Sequence, residues 1–227
     1  MRRVITLALV TAAAVTTVAV AFGAQTPQSE LAAMQAAALT KNTVHNVSVN
    51  TSPNYTIRTV SDVGRTKGIQ VLTVTHHAQT GHGEVRLAAK AIYIKGNLFQ
   101  LRFWGFEKAQ AKYVVGKWIF IPHSSPAYKP FAEGATFASF LALLWPATAD
   151  SIVKKGTLIG VRGTATYQTE KVKETLFASA HQKPLPVKEV ATYPGHPGKD
   201  VTTISRWNEK VHVPVPRRVI PIEAVTG

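Results

Sequence analysis

Residues 201–216 read VTTISRWNEKVHVPVP, and the side of the chain that this strip turns inward decides how the protein closes. Counted by twos, Val201, Thr203, Ser205, Trp207, Val211, Val213 and Val215 share one side of an extended backbone. Thr202, Arg206, Asn208, Lys210 and His212 share the other. A period of two with β-branched residues and an aromatic predicts a half-buried antiparallel strand, its valine side against a hydrophobic interior. Pro214 and Pro216 lack the amide donors of a central strand, so regular pairing ends before them.

The segments upstream carry the same signature. VHNVSVN, YTIRTVSD, GIQVLTVTHH, GEVRLAAKAIYIKG, NLFQLRFW and KWIFIP fill residues 44–122, broken by Pro53-Asn54, Gly64, Gly81-His82-Gly83 and Gly96-Asn97. Gly96-Asn97 reads as a tight hairpin turn whose second arm carries Phe99, Leu101 and Phe103 on one side. In GIQVLTV, Ile69, Val71 and Thr73 alternate with Gln70 and Leu72. GTLIGVRGTATYQTE and TLFASAHQKPLPVKEVATYPG add strands after residue 155, the second interrupted by Pro184 and Pro186.

Three segments read as helices. Thr26-Pro27 looks like a helix start, and SELAAMQAAAL continues it with Leu31, Met34 and Ala38 at helical spacing. FEKAQAKYV (106–114) is a short helix. GATFASFLALLWP (134–146) is apolar nearly all round from Phe137 to Trp145 and is stopped by Pro146. At roughly 1.5 Å per residue it is too short to cross a bilayer. It is therefore buried in protein or faces something apolar that is not protein. The sum is α+β: a large antiparallel sheet with one helix before it and helices inserted midway.

The chain opens MRRVITLALVTAAAVTTVAVAFGAQTPQ, with a basic tip, an apolar run from Val4 to Ala24 and then polar residues. That is an export signal, with Ala21 and Gly23 in the small positions before a cut. At roughly 20 residues the run also suffices as an uncut N-terminal anchor. The expected organisation is a signal peptide or anchor over 1–24 and a single domain over 25–227. There is no cysteine, which excludes disulfides, thiolate metal sites and a lipid attached through a cysteine. Formal net charge is +14, a field that favours anionic partners such as acidic lipid headgroups or cell-wall polyanions.

Catalytic signals are weak. Three aspartates (Asp62, Asp150, Asp200) and nine glutamates show no recognisable spacing, and there is no G-x-S-x-G elbow. His123-Ser124-Ser125 reads as a proline-flanked polar turn. His76, His77 and His82 read as solvent-facing histidines near a turn, since no carboxylate lies at a ligand-like offset. No catalytic residue, metal site or cofactor is assigned. Arg102, Phe103, Trp104, Phe106 and Lys108 interleave bases with aromatics, but the export address argues against nucleic acid.

Taken in order, YIKGNLFQLRFW, YVVGKWIFIP, the apolar helix, GTLIGVRGTATY, TLFASAHQKPLPVKEVA and ISRWNEKVHVPVP resemble the actinobacterial exported proteins related to LolA-like and LppX/LprG-like lipid carriers. The likeness runs from roughly Gly68 onward. It implies a half-barrel: one strongly curved antiparallel sheet with helices covering its concave face and acyl chains or lipoprotein anchors between. Many relatives carry a lipidated cysteine after the signal, and this chain does not.

From that resemblance follows the expectation of a monomeric, extracytoplasmic lipid, glycolipid or lipoprotein carrier that works at a membrane surface. Phe99, Leu101, Phe103, Ile119, Phe137, Phe140, Leu141, Leu144 and Trp145 would contact the acyl chains, and basic residues near the mouth would meet an anionic headgroup. The alternatives are an envelope-stress or assembly regulator using the same fold to bind a membrane protein, and a secreted hydrolase. The last requires a carboxylate, a histidine and a hydroxyl to converge in one pocket.

Overall fold

The computed structural model describes residues 25–167, 170–195 and 197–226. The proposed signal or anchor over 1–24 lies outside the described residues. Among the described residues no helix is long and apolar enough to cross a membrane.

The described residues open with α1 (Pro27–Leu39), whose N-cap Thr26 exchanges hydrogen bonds with Ser29 in a capping box. Leu31, Met34 and Ala38 of α1 are buried, as their spacing predicts. Five strands follow in a continuous antiparallel meander: β1 (Thr43–Thr51), β2 (Tyr55–Gly64), β3 (Gly68–His76), β4 (Gln79–Ala88) and β5 (Ala91–Gly96). Next come α2 (Leu98–Phe103), α3 (Lys108–Val114), β6 (Trp118–Pro122), α4 (Tyr128–Ala132) and α5 (Phe137–Leu144). A second meander holds β7 (Ser151–Lys155), β8 (Leu158–Tyr167), β9 (Glu170–Ser179), β10 (Pro186–Thr192) and β11 (Lys199–Ser205). The chain closes with β12 (Val219–Pro221) and α6 (Glu223–Thr226).

Among the described residues twelve strands form one sheet in the order β12-β6-β5-β4-β3-β2-β1-β11-β10-β9-β8-β7. Every pair is antiparallel except β12 with β6. β11 joins the two meanders, pairing with β1 from His45↔Ser205 to Thr51↔Lys199 and with β10 on its other side.

The strip 201–216 behaves differently from its reading. Its ladder ends at Ser205, and the inward residues are Thr202 and Ile204, not Val201 and Thr203. Positive φ at Arg206 (48°) and Asn208 (67°) breaks the parity, which is how Trp207 returns to the interior with its indole donating to the Pro186 carbonyl. Val213 then packs with Ala88, Ala91 and Tyr93 on the sheet's opposite face, Pro214 accepts from Arg86, and Val215 is exposed. Of the three valines expected against the interior, Val211 alone is buried. The segment is a strap leading from mid-sheet to the far edge, where β12 pairs with β6.

NLFQLRFW is likewise a helix, not the second arm of a hairpin. The Asn97 side chain caps α2 by accepting from the Gln100 amide at 2.9 Å. Gly81 and Gly83, expected in a turn, lie within β4 and let α2 sit on it. A Cβ at Gly83 would come within 2.6 Å of the Trp104 ring. The turn before β4 is made by His77 and Ala78, with His77 at φ 51°.

Two apolar cores occupy the helix-covered face. One joins α1 and α5 to Val44, Val63, Val161, Leu176 and Ile204. The other joins Leu101, Phe106, Ala111 and Val114 to Ile92, Ile94, Ile119 and Ile121, with Ile222 and Val225 closing it. α5 starts from a Thr136–Ser139 capping box, and Ala135 just before it rests on β3 at Gly68. A Cβ at Gly68 would meet the Ala135 carbonyl oxygen at 2.1 Å, so the approach of this lid to the sheet requires glycine. Gly68→Ala is expected to lower stability by about 1–3 kcal/mol. Urea unfolding checks this, and a change below about 0.5 kcal/mol would show that the contact is unimportant.

Candidate functional site

Between the two cores the side chains do not meet. A cavity of 770 Å³ remains, within the roughly 300–1,000 Å³ typical of small-molecule sites. Its roof comes from Trp104 after α2, from Pro130 and Phe131 of α4, and from Phe140, Leu143 and Leu144 of α5. Trp104 and Phe131 meet edge to face with ring centroids 5.4 Å apart. Leu143 is 43% exposed, an uncovered leucine on the helix that lids the space.

The floor is the inner face of seven neighbouring strands, β9 to β4. Toward β3 and β4 it is apolar, with Leu72 and Val85. Toward β9, β10, β11 and β1 it is polar: Glu174, Glu189, Asp200, Thr202, Asn46, Ser48 and Asn50 all face the cavity. Strand alternation puts them there, because their outward neighbours, such as Lys173, Lys188, Lys199 and Thr203, occupy the opposite parity. One row across four strands reads Asn50, Asp200, Ala191, Glu174, and the next reads Ser48, Thr202, Glu189.

Burial dominates the electrostatics of this floor. It raises the Glu189 carboxyl to about 8, with the Glu174 and Asp200 carboxylates adding to the rise and a Thr202 hydrogen bond opposing it. Burial alone raises Glu174 to about 7. Asp200 is also raised by burial, against the pull of hydrogen bonds from Tyr193 (2.5 Å) and Asn50. Each carboxyl thus binds its proton more tightly in the folded protein than in the unfolded chain.

Of the nine residues expected on acyl chains, Phe140 and Leu144 line the cavity. Leu101 and Ile119 are fully buried in the second core, away from it. Phe137 and Leu141 face the first core with Trp145 packed beside them, Phe137 lying edge to face with Trp207. Phe99 lies over Gly81, and Phe103 is 48% exposed. The helix at 98–103 removes the strand face that had grouped Phe99, Leu101 and Phe103.

Among the described residues the lining holds no Lys, Arg or His, so no base expected to meet an anionic headgroup is found in it. Nor does a histidine join the carboxylates and hydroxyls, as a hydrolase of the serine type requires. His45, Asp62 and Arg206 form a separate network on the other face of the sheet, with His45 Nδ1 at 2.7 Å from Asp62. His123–Ser125 form a turn as expected, and the described residues hold no group of three or more His, Cys, Asp or Glu arranged for a metal. The polar floor escaped sequence reading because its members come singly from alternate positions of four strands.

No protein-family model matches the sequence, and no curated protein matches it. Solved structures do. LprF from Mycobacterium bovis aligns over 84% of this chain and 96% of its own, with a TM-score of 0.51 at 16% identity. The lipoprotein LppX of Mycobacterium tuberculosis aligns over 83% of this chain and 98% of its own, at TM-score 0.48 and 14% identity.

Raised carboxyls make stability fall as pH rises from the unfolded value of 4.5 through the folded values near 7 and 8. We expect a loss on the order of 2 kcal/mol between pH 5 and pH 8.5, and a flatter slope in Glu189→Gln. Chemical denaturation across this range checks it; a flat wild-type profile would contradict the burial of these groups.

Proposed function

We infer the function from the fold that the chain shares with LprF, one large, mostly antiparallel sheet with helices on one face. We propose that the protein is a non-enzymatic, extracytoplasmic carrier that holds the acyl part of a lipid or lipid-modified ligand in the cavity under α5. The observation that carries this reading is a 770 Å³ cavity, open to solvent, beneath a roof of Trp104, Phe131, Phe140, Leu143 and Leu144. Apolar side chains that face water in such a cavity gain dispersion contacts and hydrophobic stabilisation when an apolar ligand covers them. Each methylene transferred from water contributes about 0.8 kcal/mol, so an acyl chain offers a large driving force for filling it.

A curved, half-barrel sheet is part of the proposal. In its support, Val63 of β2 and Val161 of β8 belong to one core although four strands separate them in the sheet order. At roughly 4.8 Å per strand a flat sheet would hold them about 24 Å apart. The export signal read in residues 1–24 supports action outside the cytoplasm. The resemblance of the ordered strand motifs to LppX/LprG-like carriers points to the same function.

The experiment is solvent extraction of protein purified without detergent, followed by mass spectrometry, alongside titration of the emptied protein with a fluorescent fatty-acyl probe. Co-purified acyl lipid and saturable probe binding are expected. Leu143→Glu puts a charge on the lid without touching the closed core, and should weaken probe binding by about tenfold, equivalent to 1.4 kcal/mol. Absence of both extracted lipid and probe binding would overturn the reading.

A further inference from the structure

The floor asks for something specific. Three acceptor atoms on residues lining the cavity have no partner: Glu174 Oε2, Asp200 Oδ1 and Asn50 Oδ1. Glu174 is 7% exposed, and Asn46, 5% exposed, carries an unpartnered Nδ2 donor in the same cavity. Buried polar groups are rarely left unpaired, since each costs about 1–3 kcal/mol. Here they gather where a ligand would sit.

Glu174, Asp200 and Asn50 lie in a single row across the sheet, and the small Ala191 between the two carboxyls leaves an opening of about 10 Å between their strands. All three residues line the cavity. No basic side chain competes for them within the lining, although the protein as a whole carries a formal charge of +14. The cavity is an acidic hollow in a basic protein.

We propose that this acidic end of the cavity receives the ammonium group of a cationic amphiphile, its charge balanced by the carboxyls of Glu174 and Asp200 on either side of Ala191. The proposal rests on the carrier reading and adds the class of headgroup. An ammonium carries three donors and no acceptor, which suits a lining whose charged groups are acceptors when ionised. An anionic head would face four carboxyls, Glu133, Glu174, Glu189 and Asp200, with no countercharge in the lining. A metal ion is disfavoured by the absence, among the described residues, of a cluster of ligands at metal spacing. Asn46, four residues from Asn50 on β1, lies about 13 Å farther along the floor. Its amide donor suits a carbonyl or hydroxyl oxygen in the linkage between head and chain.

The titratable groups facing the site are Glu133 from the segment after α4, Glu174, Glu189 and Asp200 from the sheet, and Tyr193 from the β10–β11 connection. A cation binds best to ionised carboxylates, so affinity for an amine should rise with pH through the range near 7 and 8 in which Glu174 and Glu189 lose their protons. An alcohol of equal chain length should not show this rise.

The test compares dodecylamine, 1-dodecanol and laurate, each below its aggregation limit, against the full mature chain by isothermal calorimetry at pH 6 and pH 8. The expected result at pH 8 is that dodecylamine binds at least about tenfold more tightly than either neighbour, with a weaker preference at pH 6. In Glu174→Gln/Asp200→Asn the ratio of amine to alcohol affinity should fall toward one. Equal or tighter binding of dodecanol or laurate by the wild type would overturn the ammonium receptor and leave the carrier reading intact. An undiminished amine preference in the double variant would overturn it too. Failure of all three to bind would overturn both readings. The wild-type comparison stands even if the double variant does not fold.

Discussion

The ladder between β1 and β11 is the constraint on which the rest depends. Seven residue pairs, from His45↔Ser205 to Thr51↔Lys199, join the first strand of one meander to the last strand of the other. Contacts of this sequence separation carry a large loop-closure cost, so they form only if what they bring together is stable. Here they bring α1 and α5 against strands from both halves, in a core that neither half has alone. They also align Asn46, Ser48 and Asn50 with Asp200 and Thr202, which assembles the polar floor.

Once that ladder exists, the cavity follows from side-chain parity and from where the helices land. α2 is seated on β4 by glycines, and α5 is brought down to β3 at Gly68, each anchored near a core and neither covering the middle of the floor. What remains between them is apolar above and at one end, and acidic at the other. Burial of those carboxyls opposes the folded state at neutral pH, in keeping with sites that retain polar groups for a ligand at the expense of stability.

Much of the architecture was legible in the sequence. The Thr26-Pro27 start, the apolar helix after Phe137 with its Pro146 stop, and the strand at Trp118–Pro122 follow from local chemistry acting over a few residues. The failures were also local in origin. LFQLRF has the alternation of a strand, but Asn97 caps it and the glycines of β4 receive it as a helix. The strip at 201–216 alternates throughout, yet two residues at positive φ reverse its parity, a change that hydrophobic pattern does not encode. The roof was partly readable, through Phe140 and Leu144, because an apolar helix without a polar face announces itself. The floor was not: Glu174, Glu189 and Asp200 are unremarkable charges in sequence and become neighbours only through strand register.

Isotope-filtered NMR of the methyl-labelled protein with a carbon-13-labelled acyl ligand tests whether an acyl chain enters the space between α5 and the inner face of the sheet. Intermolecular Overhauser effects are expected from the ligand chain to the methyls of Leu72, Val85 and Leu144, which line the cavity. Effects confined to exposed methyls such as Leu39, Val71 and Val215, with none at the lining residues, would contradict this placement.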